Sequence, residues 1–255
     1  MSPPCYVVAV RRTLWLNVDE VPAGGVAGLT FARHAAVGVR EAMPAPRARS
    51  LARAVLDAEA DLGDDFGGEQ RSLGRPWYTH METGRAAEYF RDARASDARV
   101  ERVVPGVQDE MLRWLARLLG GVVRRRHGFC GPGVHVFPPG EKVARRGGVF
   151  HYDLEGLTPA WRHTLPPAIS AVWMLQPAHK RGGLTLFNKR FVGENWPMDE
   201  DPDVRRTTTL SRAGDLLVFS SYRLHRINGF SGDDARVSAT CHAVMVDDGV
   251  WEAWF

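Results

Sequence analysis

The stretch "FHYDLEGL" (residues 150–157) places a histidine and a carboxylate two positions apart, His151 and Asp153. In an extended strand, residues i and i+2 point to the same side, so both side chains can reach one point in space. Farther along the chain, the stretch "VFSSYRLHRINGF" contains His225. Two imidazoles and one carboxylate can hold one face of an octahedral metal and leave three positions open, which is the ligand pattern of non-haem Fe(II) oxygenases.

A His-x-acid triplet is weak evidence for a metal site when it stands alone. With 9 His and 30 Asp plus Glu in 255 residues, chance gives about one such triplet, and the chain contains two. The second, His80-Met81-Glu82, lies among Gly and Pro residues and follows no β-type run, so we do not expect it to bind metal. His225 alone is also compatible with an ordinary structural histidine. The order of all three residues on β-type runs favours the metal site.

Arg236 and Ser238 indicate a binding site for an anion. Both lie in "ARVSATCHAVMV" (235–246) and share one face of a predicted strand that points into the core. A buried arginine requires an anionic partner. Its guanidinium can pair with both oxygens of a carboxylate, and a serine hydroxyl can donate a further hydrogen bond. The pair predicts a site for the distal carboxylate of a dicarboxylate, with a structural ion pair of Arg236 as the alternative.

The second half of the chain contains the β-type runs that would position these residues. Gly, Pro, Asn or Asp separate the runs, and their density is typical of an antiparallel sandwich or jelly roll. The runs are GVHVF (133–137), GVFHY (148–152), AISAVWML (168–175), GLTLF (183–187), TTTLS (207–211), DLLVFSS (215–221) and ARVSATCHAVMV (235–246). We expect His151 and Asp153 at the end of the second run and His225 just after the sixth.

The first half of the chain mixes helices with extended segments. Residues 6–18 predict one long strand or a pair of strands. The segments 48–62, 84–96 and 106–121 predict helices, and the last has the clearest apolar stripe, with glycines at its end. We expect these helices to pack on one outer face of the β core.

The stretch "DDFGGEQRSLGRPWYTHMETG" (64–84) is rich in Gly and polar residues and predicts a long loop. Long Gly-bearing loops often close over binding sites, so this segment is the candidate lid. Its Arg75, Trp77 and Tyr78 are candidate contacts for a carboxylate and an apolar body of a substrate. Glu155, just after the candidate metal ligands, is a candidate partner for a substrate amine. Each of these residues is also compatible with a solvated loop position.

The amino-acid composition limits the classes of protein to which the chain can belong. The hydrophobic share of 44% and the charged share of 25% are ordinary for a globular chain, and a net charge of +3 does not point to nucleic acid. The three cysteines are scattered without a CxxC pair, which argues against a disulfide framework or a structural zinc site. No apolar run approaches the roughly 20 residues of a membrane span, and no signal peptide is recognisable. We expect a cytoplasmic protein without membrane or nucleic-acid partners.

The residues together resemble those of the Fe(II)/2-oxoglutarate-dependent dioxygenases: His-x-Asp, then His, then ten residues and Arg-x-Ser. The resemblance covers about residues 130–246. Within it, "QPAHKRGGLTLFNKRF" is similar to a Gly-Gly strand that often crosses the core of this family, and "RAGDLLVFSSYRLHRI" to the turn and strand that deliver the distal histidine. A finer likeness is to bacterial members that act on amino acids and related natural-product intermediates.

The resemblance implies an α+β, mainly β fold, in which a double-stranded β-helix (jelly roll) has flanking helices from the N-terminal half. We expect a single domain over 1–255, with 1–121 as the mixed flank and candidate lid and 122–255 as the jelly-roll core. The implied metal ligands are His151, Asp153 and His225. The residues implied to hold 2-oxoglutarate are Arg236 and Ser238.

The implied reaction is hydroxylation of an unactivated C–H bond in a small molecule, a free amino acid or an amino-acid-derived metabolite. It would use Fe(II), 2-oxoglutarate and O2 and release succinate and CO2. Related halogenases have a small residue in place of Asp153, which leaves a coordination position for chloride, so the carboxylate favours hydroxylation over chlorination. Desaturation and ring closure stay open.

One departure from the family concerns the strand before the candidate metal ligands. Many prolyl-hydroxylase-like members carry a tyrosine there that contacts the 2-oxoglutarate carboxylate. Phe137 stands near that position in this chain and cannot donate a hydrogen bond. His135, two residues earlier on the same face, is the candidate substitute.

Three other classes of protein share part of the pattern. A peptidyl hydroxylase of the prolyl-hydroxylase type would share every cofactor residue and is the main alternative. A nucleic-acid demethylase of the AlkB group would have a second arginine where this chain has His242. A non-catalytic metal-binding β-barrel would not need Arg236 and Ser238 as a pair. His242 shares the strand face of Ser238 and lies either near the co-substrate or in the core.

Overall fold

The computed structural model describes residues 12–26, 33–193 and 204–255. The strands in these residues are β1 (Leu14–Leu16), β2 (Val37–Val39), β3 (Gly63–Asp65), β4 (Gln70–Leu73), β5 (Val122–Arg125), β6 (Gly133–Phe137), β7 (Ala168–Gln176), β8 (Lys180–Arg181), β9 (Leu184–Arg190), β10 (Arg206–Thr209), β11 (Leu216–Ser220), β12 (Arg223–Ile227), β13 (Phe230–Ser231), β14 (Arg236–Asp247) and β15 (Val250–Trp254). The helices are α1 (Ala45–Asp57), α2 (Trp77–Glu82), α3 (Ala86–Val103), α4 (Val107–Leu119), α5 (Lys142–Arg146) and α6 (Pro159–Thr164), with 3-10 turns at Val18–Glu20 and Glu59–Asp61.

A large sheet and a small sheet form the β core. The large sheet has the order β1-β2-β11-β7-β14-β6-β4-β3, and β15 joins β14 and β5. The small sheet has the order β10-β9-β12, and its strands pair antiparallel. Phe219 on β11 contacts the ring of His225 on β12, with ring centroids 4.7 Å apart, so the two sheets face each other. The predicted mainly β fold with flanking helices is confirmed.

The helices of the first half cover the other face of the large sheet. The apolar spacing of α4 buries Met111, Leu115 and Leu118 completely. Gly120 ends this helix with a φ of 67°, a left-handed conformation that glycine adopts without steric cost. Helix α1 packs against β7, where Trp173 is fully buried.

The helix predictions are confirmed with shifted ends. The segment predicted at 48–62 forms α1 and the following 3-10 turn, whereas the segment predicted at 84–96 continues to Val103 as α3. Of the strand predicted at 6–18, only β1 falls within the described residues, together with the turn that follows it. Residues 6–11 lie outside the described residues. Among the described residues, no helix combines the length and apolar character needed to cross a membrane.

The predicted long loop at 64–84 is wrong. Strands β3 and β4 form a hairpin there, helix α2 follows, and β4 pairs with β6 in the large sheet. The polar residues Gln70 and Ser72 of β4 point inward and bond to His135, which explains how a polar segment forms a buried strand. The large sheet therefore draws strands from both sides of residue 122, and the lid interpretation of this segment loses its basis.

Candidate metal centre

His151 and His225 lie side by side where the chain crosses the open edge of the small sheet. The backbone N–H of His151 donates to the carbonyl of His225 at 3.1 Å, and the N–H of His225 donates back at 3.0 Å. This isolated bridge brings the two imidazole rings to a centroid distance of 4.2 Å. The strand predicted at 148–152 is reduced to this bridge. His225 follows β11, as expected, and lies within the next strand, β12.

Asp153 completes the predicted group of three. Its carboxylate oxygens lie 3.5 Å from Nε2 of His151 and 3.3 Å from Nε2 of His225. One ligand atom from each residue lies within 4.8 Å of the other two. Ligand atoms in adjacent positions of an octahedral metal, each about 2.1 Å from it, are about 3 Å apart. The three side chains therefore need only small adjustments to bind one metal ion.

Backbone carbonyls fix the orientation of both imidazoles. Nδ1 of His151 lies 2.9 Å from the carbonyl of Val149, and Nδ1 of His225 lies 2.9 Å from the carbonyl of Arg223. A carbonyl can only accept, so each Nδ1 carries the proton and each Nε2 keeps its lone pair for a metal. Burial lowers the pKa of His225 to about 4, which keeps this imidazole neutral at physiological pH.

The carboxylate of Asp153 is ionised. Burial raises its pKa, but the imidazoles of His225, His242 and His151 and the hydroxyl of Ser170 outweigh burial and lower the pKa to about 2. An ionised carboxylate beside two imidazoles is a donor set that suits a divalent cation.

Arg236 lies on the inner face of the large sheet and is 3% exposed. One of its terminal nitrogens donates to Oγ of Ser238 at 3.3 Å, and its Nε is buried without a hydrogen-bond partner. Burial lowers its pKa to about 10, so the guanidinium is still charged at neutral pH. No ion pair forms between Arg236 and a carboxylate of the described residues. Because an unpaired buried charge is costly, these atoms fit a bound anion.

The strand β14 connects Arg236 with the candidate metal ligands. Ser238 and His242 lie on the same face of this strand, and Nδ1 of His242 is 3.8 Å from a carboxylate oxygen of Asp153. Between them, Oγ1 of Thr240 is buried without a hydrogen-bond partner. The polar face of β14 thus runs from the candidate metal site to the buried arginine.

The neighbouring strand β6 adds His135 and Phe137 to the same face. In the register with β14, His135 is opposite Ser238 and Phe137 is opposite Arg236. Nδ1 of His135 lies 2.9 Å from both Gln70 and Ser72, and burial lowers its pKa to about 3. His135 is therefore a neutral imidazole beside the pair that the sequence predicts to bind a carboxylate.

The predicted substrate residues fall into two groups. Burial and the charge of Asp65 raise the pKa of Tyr78, whose phenol accepts a hydrogen bond from Gln70 and whose ring centroid lies 5.9 Å from that of His135. Burial and the charges of Asp153 and Glu82 raise the pKa of Glu155, which follows Asp153 by two positions.

Arg75 and Trp77 make contacts with other parts of the protein. Arg75 forms an ion pair with Asp92 at 2.9 Å and donates to Nε2 of His80 at 2.9 Å. Trp77 packs against Tyr89, Phe90 and Phe129 with ring centroids 5.0–5.4 Å apart. Tyr78 and Glu155 stay predicted substrate contacts. Both ring nitrogens of His80 are engaged, by Arg75 and by the carbonyl of Pro76.

Ser170 and Ser221 contact the candidate site but were not singled out from the sequence. Ser170 on β7 bonds to Asp153, and the carbonyl of Ser221 accepts from the N–H of Asp153. The available signal was a lone serine in the apolar run AISAVWML, since a polar residue in a buried strand usually has a specific partner.

Comparisons with known proteins give a fold-level match. No protein-family model and no curated protein match the sequence. Among solved structures, the chain is similar to the non-heme alpha-ketoglutarate-dependent epimerase SnoN from nogalamycin biosynthesis, with 18% identity, a TM-score of 0.49, and coverage of 82% of this chain and 80% of that one. It is also similar to that epimerase in complex with Fe3+, alpha ketoglutarate and nogalamycin RO, with 17% identity, a TM-score of 0.50, and coverage of 84% and 82%. The second match shows a shared fold.

Proposed function

We propose that this chain is an Fe(II)/2-oxoglutarate-dependent dioxygenase that hydroxylates an unactivated C–H bond of a free amino acid or an amino-acid-derived metabolite. In this proposal residues 1–255 form one domain of the double-stranded β-helix type. One observation carries the proposal: three side chains that could hold a metal ion lie beside a strand that also carries a buried arginine without an anionic partner among the described residues.

The metal ligands would be Nε2 of His151, Nε2 of His225 and one carboxylate oxygen of Asp153. Two histidines and one carboxylate leave three positions open, enough for a chelating co-substrate and O2. Iron with bound 2-oxoglutarate and O2 supplies the oxidation of a C–H bond, with succinate and CO2 as co-products. The protein's own task is to orient the substrate C–H bond and to exclude water. The epimerase of similar fold was solved with Fe3+ and alpha ketoglutarate, which supports this choice of cofactors.

The co-substrate would lie along β14. Its chelating end would be near His242, which is close to Asp153, and its distal carboxylate would pair with Arg236 and Ser238. A guanidinium that is buried away from water binds a carboxylate more strongly than an exposed one. The unpartnered Nε of Arg236 and Oγ1 of Thr240 are the atoms that such a ligand could satisfy. His135 is the further candidate contact.

The substrate would approach from the side of His151, whose side chain is 40% exposed, whereas the side chain of His225 is 5% exposed. Tyr78 and Glu155 are the candidate contacts for the substrate. A carboxylate whose pKa is raised by burial and by other carboxylates gains from pairing with a cation, so Glu155 suits a substrate amine. This feature supports an amino acid or a related amine as the substrate.

The role of Asp153 in the reaction outcome can be tested with Asp153→Gly, which opens a coordination position at the metal. We expect a loss of hydroxylation on the order of a hundredfold or more, because a misplacement of about 1 Å can already cost that much. Succinate release should become partly uncoupled from substrate oxidation. The measurement is product mass and succinate yield, in buffers with and without chloride. Hydroxylation at the wild-type rate would show that Asp153 is not a ligand.

The substrate class can be found with a succinate-release screen. Purified protein with Fe(II), 2-oxoglutarate and O2 is incubated with free amino acids, amino-acid-derived metabolites and short peptides. The masses of the products are measured by mass spectrometry. We expect one small molecule to raise succinate release and to gain one oxygen atom. Gain of oxygen on a peptide would favour a peptidyl hydroxylase, and an epimerised product of unchanged mass would replace hydroxylation as the outcome. Succinate that forms equally in His225→Ala would contradict the proposal.

A further inference from the structure

Ser170 is the centre of a buried hydrogen-bonded cluster that contacts one candidate metal ligand. This residue lies on β7 and is 2% exposed. Its Oγ is 2.5 Å from Oδ2 of Asp153, 2.9 Å from Oγ of Ser221 and 3.2 Å from Nδ1 of His242. The register of β7 with β14 fixes part of the cluster, because Ser170 and His242 are directly opposite each other.

The positions of the protons follow from the donor capacity of a serine. A hydroxyl has one hydrogen, and the ionised carboxylate of Asp153 is the strongest of the three possible acceptors, so Ser170 donates to Asp153. Oγ of Ser170 then accepts from the hydroxyl of Ser221 and from Nδ1–H of His242. Ser221 and His242 therefore donate to Ser170, and Ser170 in turn donates to one oxygen of Asp153.

We propose that Ser170 is a positioning residue that holds Asp153 as a one-oxygen metal ligand, with Ser221 and His242 supporting it. This inference rests on the proposed function. A carboxylate oxygen that already accepts a hydrogen bond is a weaker donor to a metal, so the other oxygen coordinates. If Asp153 bound with both oxygens, it would occupy a fourth coordination position. Two positions would remain, one too few for a chelating co-substrate together with O2.

The backbone of Asp153 is held independently of Ser170. Its N–H donates to the carbonyl of Ser221 at 3.0 Å. Removal of the Ser170 hydroxyl therefore leaves the carboxylate in place but free to rotate about its side-chain torsions. A positioning role and a merely structural role of the cluster thus predict different results, because only the first changes metal binding.

The test is metal binding by Ser170→Ala, measured by anaerobic titration of the metal-free protein with Fe(II), and with Mn(II) as a redox-stable probe. We expect the dissociation constant to rise about 10- to 100-fold, the range typical for loss of an outer-shell partner. Product formed per succinate should also fall. Ser221→Ala removes a donor to Ser170 but keeps the bond to Asp153, so its effect should be smaller.

Ser96→Ala is the matched control, because Ser96 is an equally buried serine on α3, outside the cluster. Its metal affinity should equal that of the wild type. Thermal unfolding of each metal-free variant separates a loss of stability from a loss of metal affinity.

Unchanged metal affinity in Ser170→Ala would overturn the inference, whatever its unfolding temperature. If Ser170→Ala does not fold, Ser221→Ala and His242→Ala remove the two donors to Ser170 separately, and unchanged affinity in both would overturn the inference in the same way. Failure of the wild type to bind either metal would instead refute the proposed function itself. The two failures are therefore distinguishable.

Discussion

His225→Ala should abolish turnover and strongly weaken iron binding, because it removes one of three protein ligands. The imidazole of His225 is buried between Phe219 and His151, and its Nε2 faces Asp153 at 3.3 Å. Removal of an outer-shell partner typically costs 10- to 100-fold in metal affinity, and removal of a ligand should cost more than that. The measurements are the Fe(II) dissociation constant and the rate of succinate release. His151→Ala and Asp153→Ala should behave alike.

The control for this prediction is His163→Ala, which removes an exposed histidine of α6 and should leave both quantities unchanged. Added imidazole gives a second, structure-based contrast. It should partly restore metal affinity to His151→Ala, whose site is open, but not to His225→Ala, whose site is buried. Retained turnover in His225→Ala would require another distal ligand, and His242 would be the first to examine because its Nδ1 lies 3.8 Å from Asp153.

Arg236→Lys should weaken 2-oxoglutarate binding on the order of tenfold or more without changing metal affinity. Lysine keeps the positive charge but loses the planar fork that pairs with both carboxylate oxygens. Loss of one charge-assisted hydrogen bond, worth about 1.5–3 kcal/mol, accounts for this magnitude. The measurement is the dissociation constant of 2-oxoglutarate in the metal-loaded protein. An unchanged constant in the folded variant would move the dicarboxylate site elsewhere.

Arg236→Met separates a ligand-binding arginine from a structural one. Breaking a buried ion pair by removing one partner costs about 3–5 kcal/mol of stability, whereas removing a buried charge without a partner does not. We expect Arg236→Met to lose 2-oxoglutarate binding while its unfolding temperature without ligand is equal to or above that of the wild type. Arg124→Met, which removes the arginine of an exposed ion pair with Glu252, is the control and should bind 2-oxoglutarate normally.

The features that could be predicted from the sequence are those that local spacing determines. Helix α4 follows from apolar residues one turn apart and from the glycine at its end. Arg236 and Ser238 share a face because they are two positions apart on a strand, and the structure confirms this strand as β14. The convergence of His151, Asp153 and His225 could be predicted because the types and order of the residues restrict what they can bind together.

Features that depend on contacts distant in sequence could not be predicted. Gln70 and Ser72 are polar residues that predict a loop. Their buried hydrogen bonds to His135, more than sixty positions away, are what allows them to lie in a strand. The sequence predicts His151 at the end of a strand, but one isolated bridge to His225 holds its backbone. The contact of Ser170 with Asp153 likewise depends on how β7 lies against the turn that carries the carboxylate.

The central claim is that His151, Asp153, His225 and Arg236 form one site for iron and 2-oxoglutarate. Calorimetric titration of the protein with 2-oxoglutarate under anaerobic conditions, with and without a bound divalent metal, tests it most directly. We predict that the metal tightens 2-oxoglutarate binding, that Arg236→Lys weakens this binding at full metal occupancy, and that His225→Ala removes the effect of the metal. Binding of 2-oxoglutarate with the same affinity in the presence and absence of metal would contradict the claim.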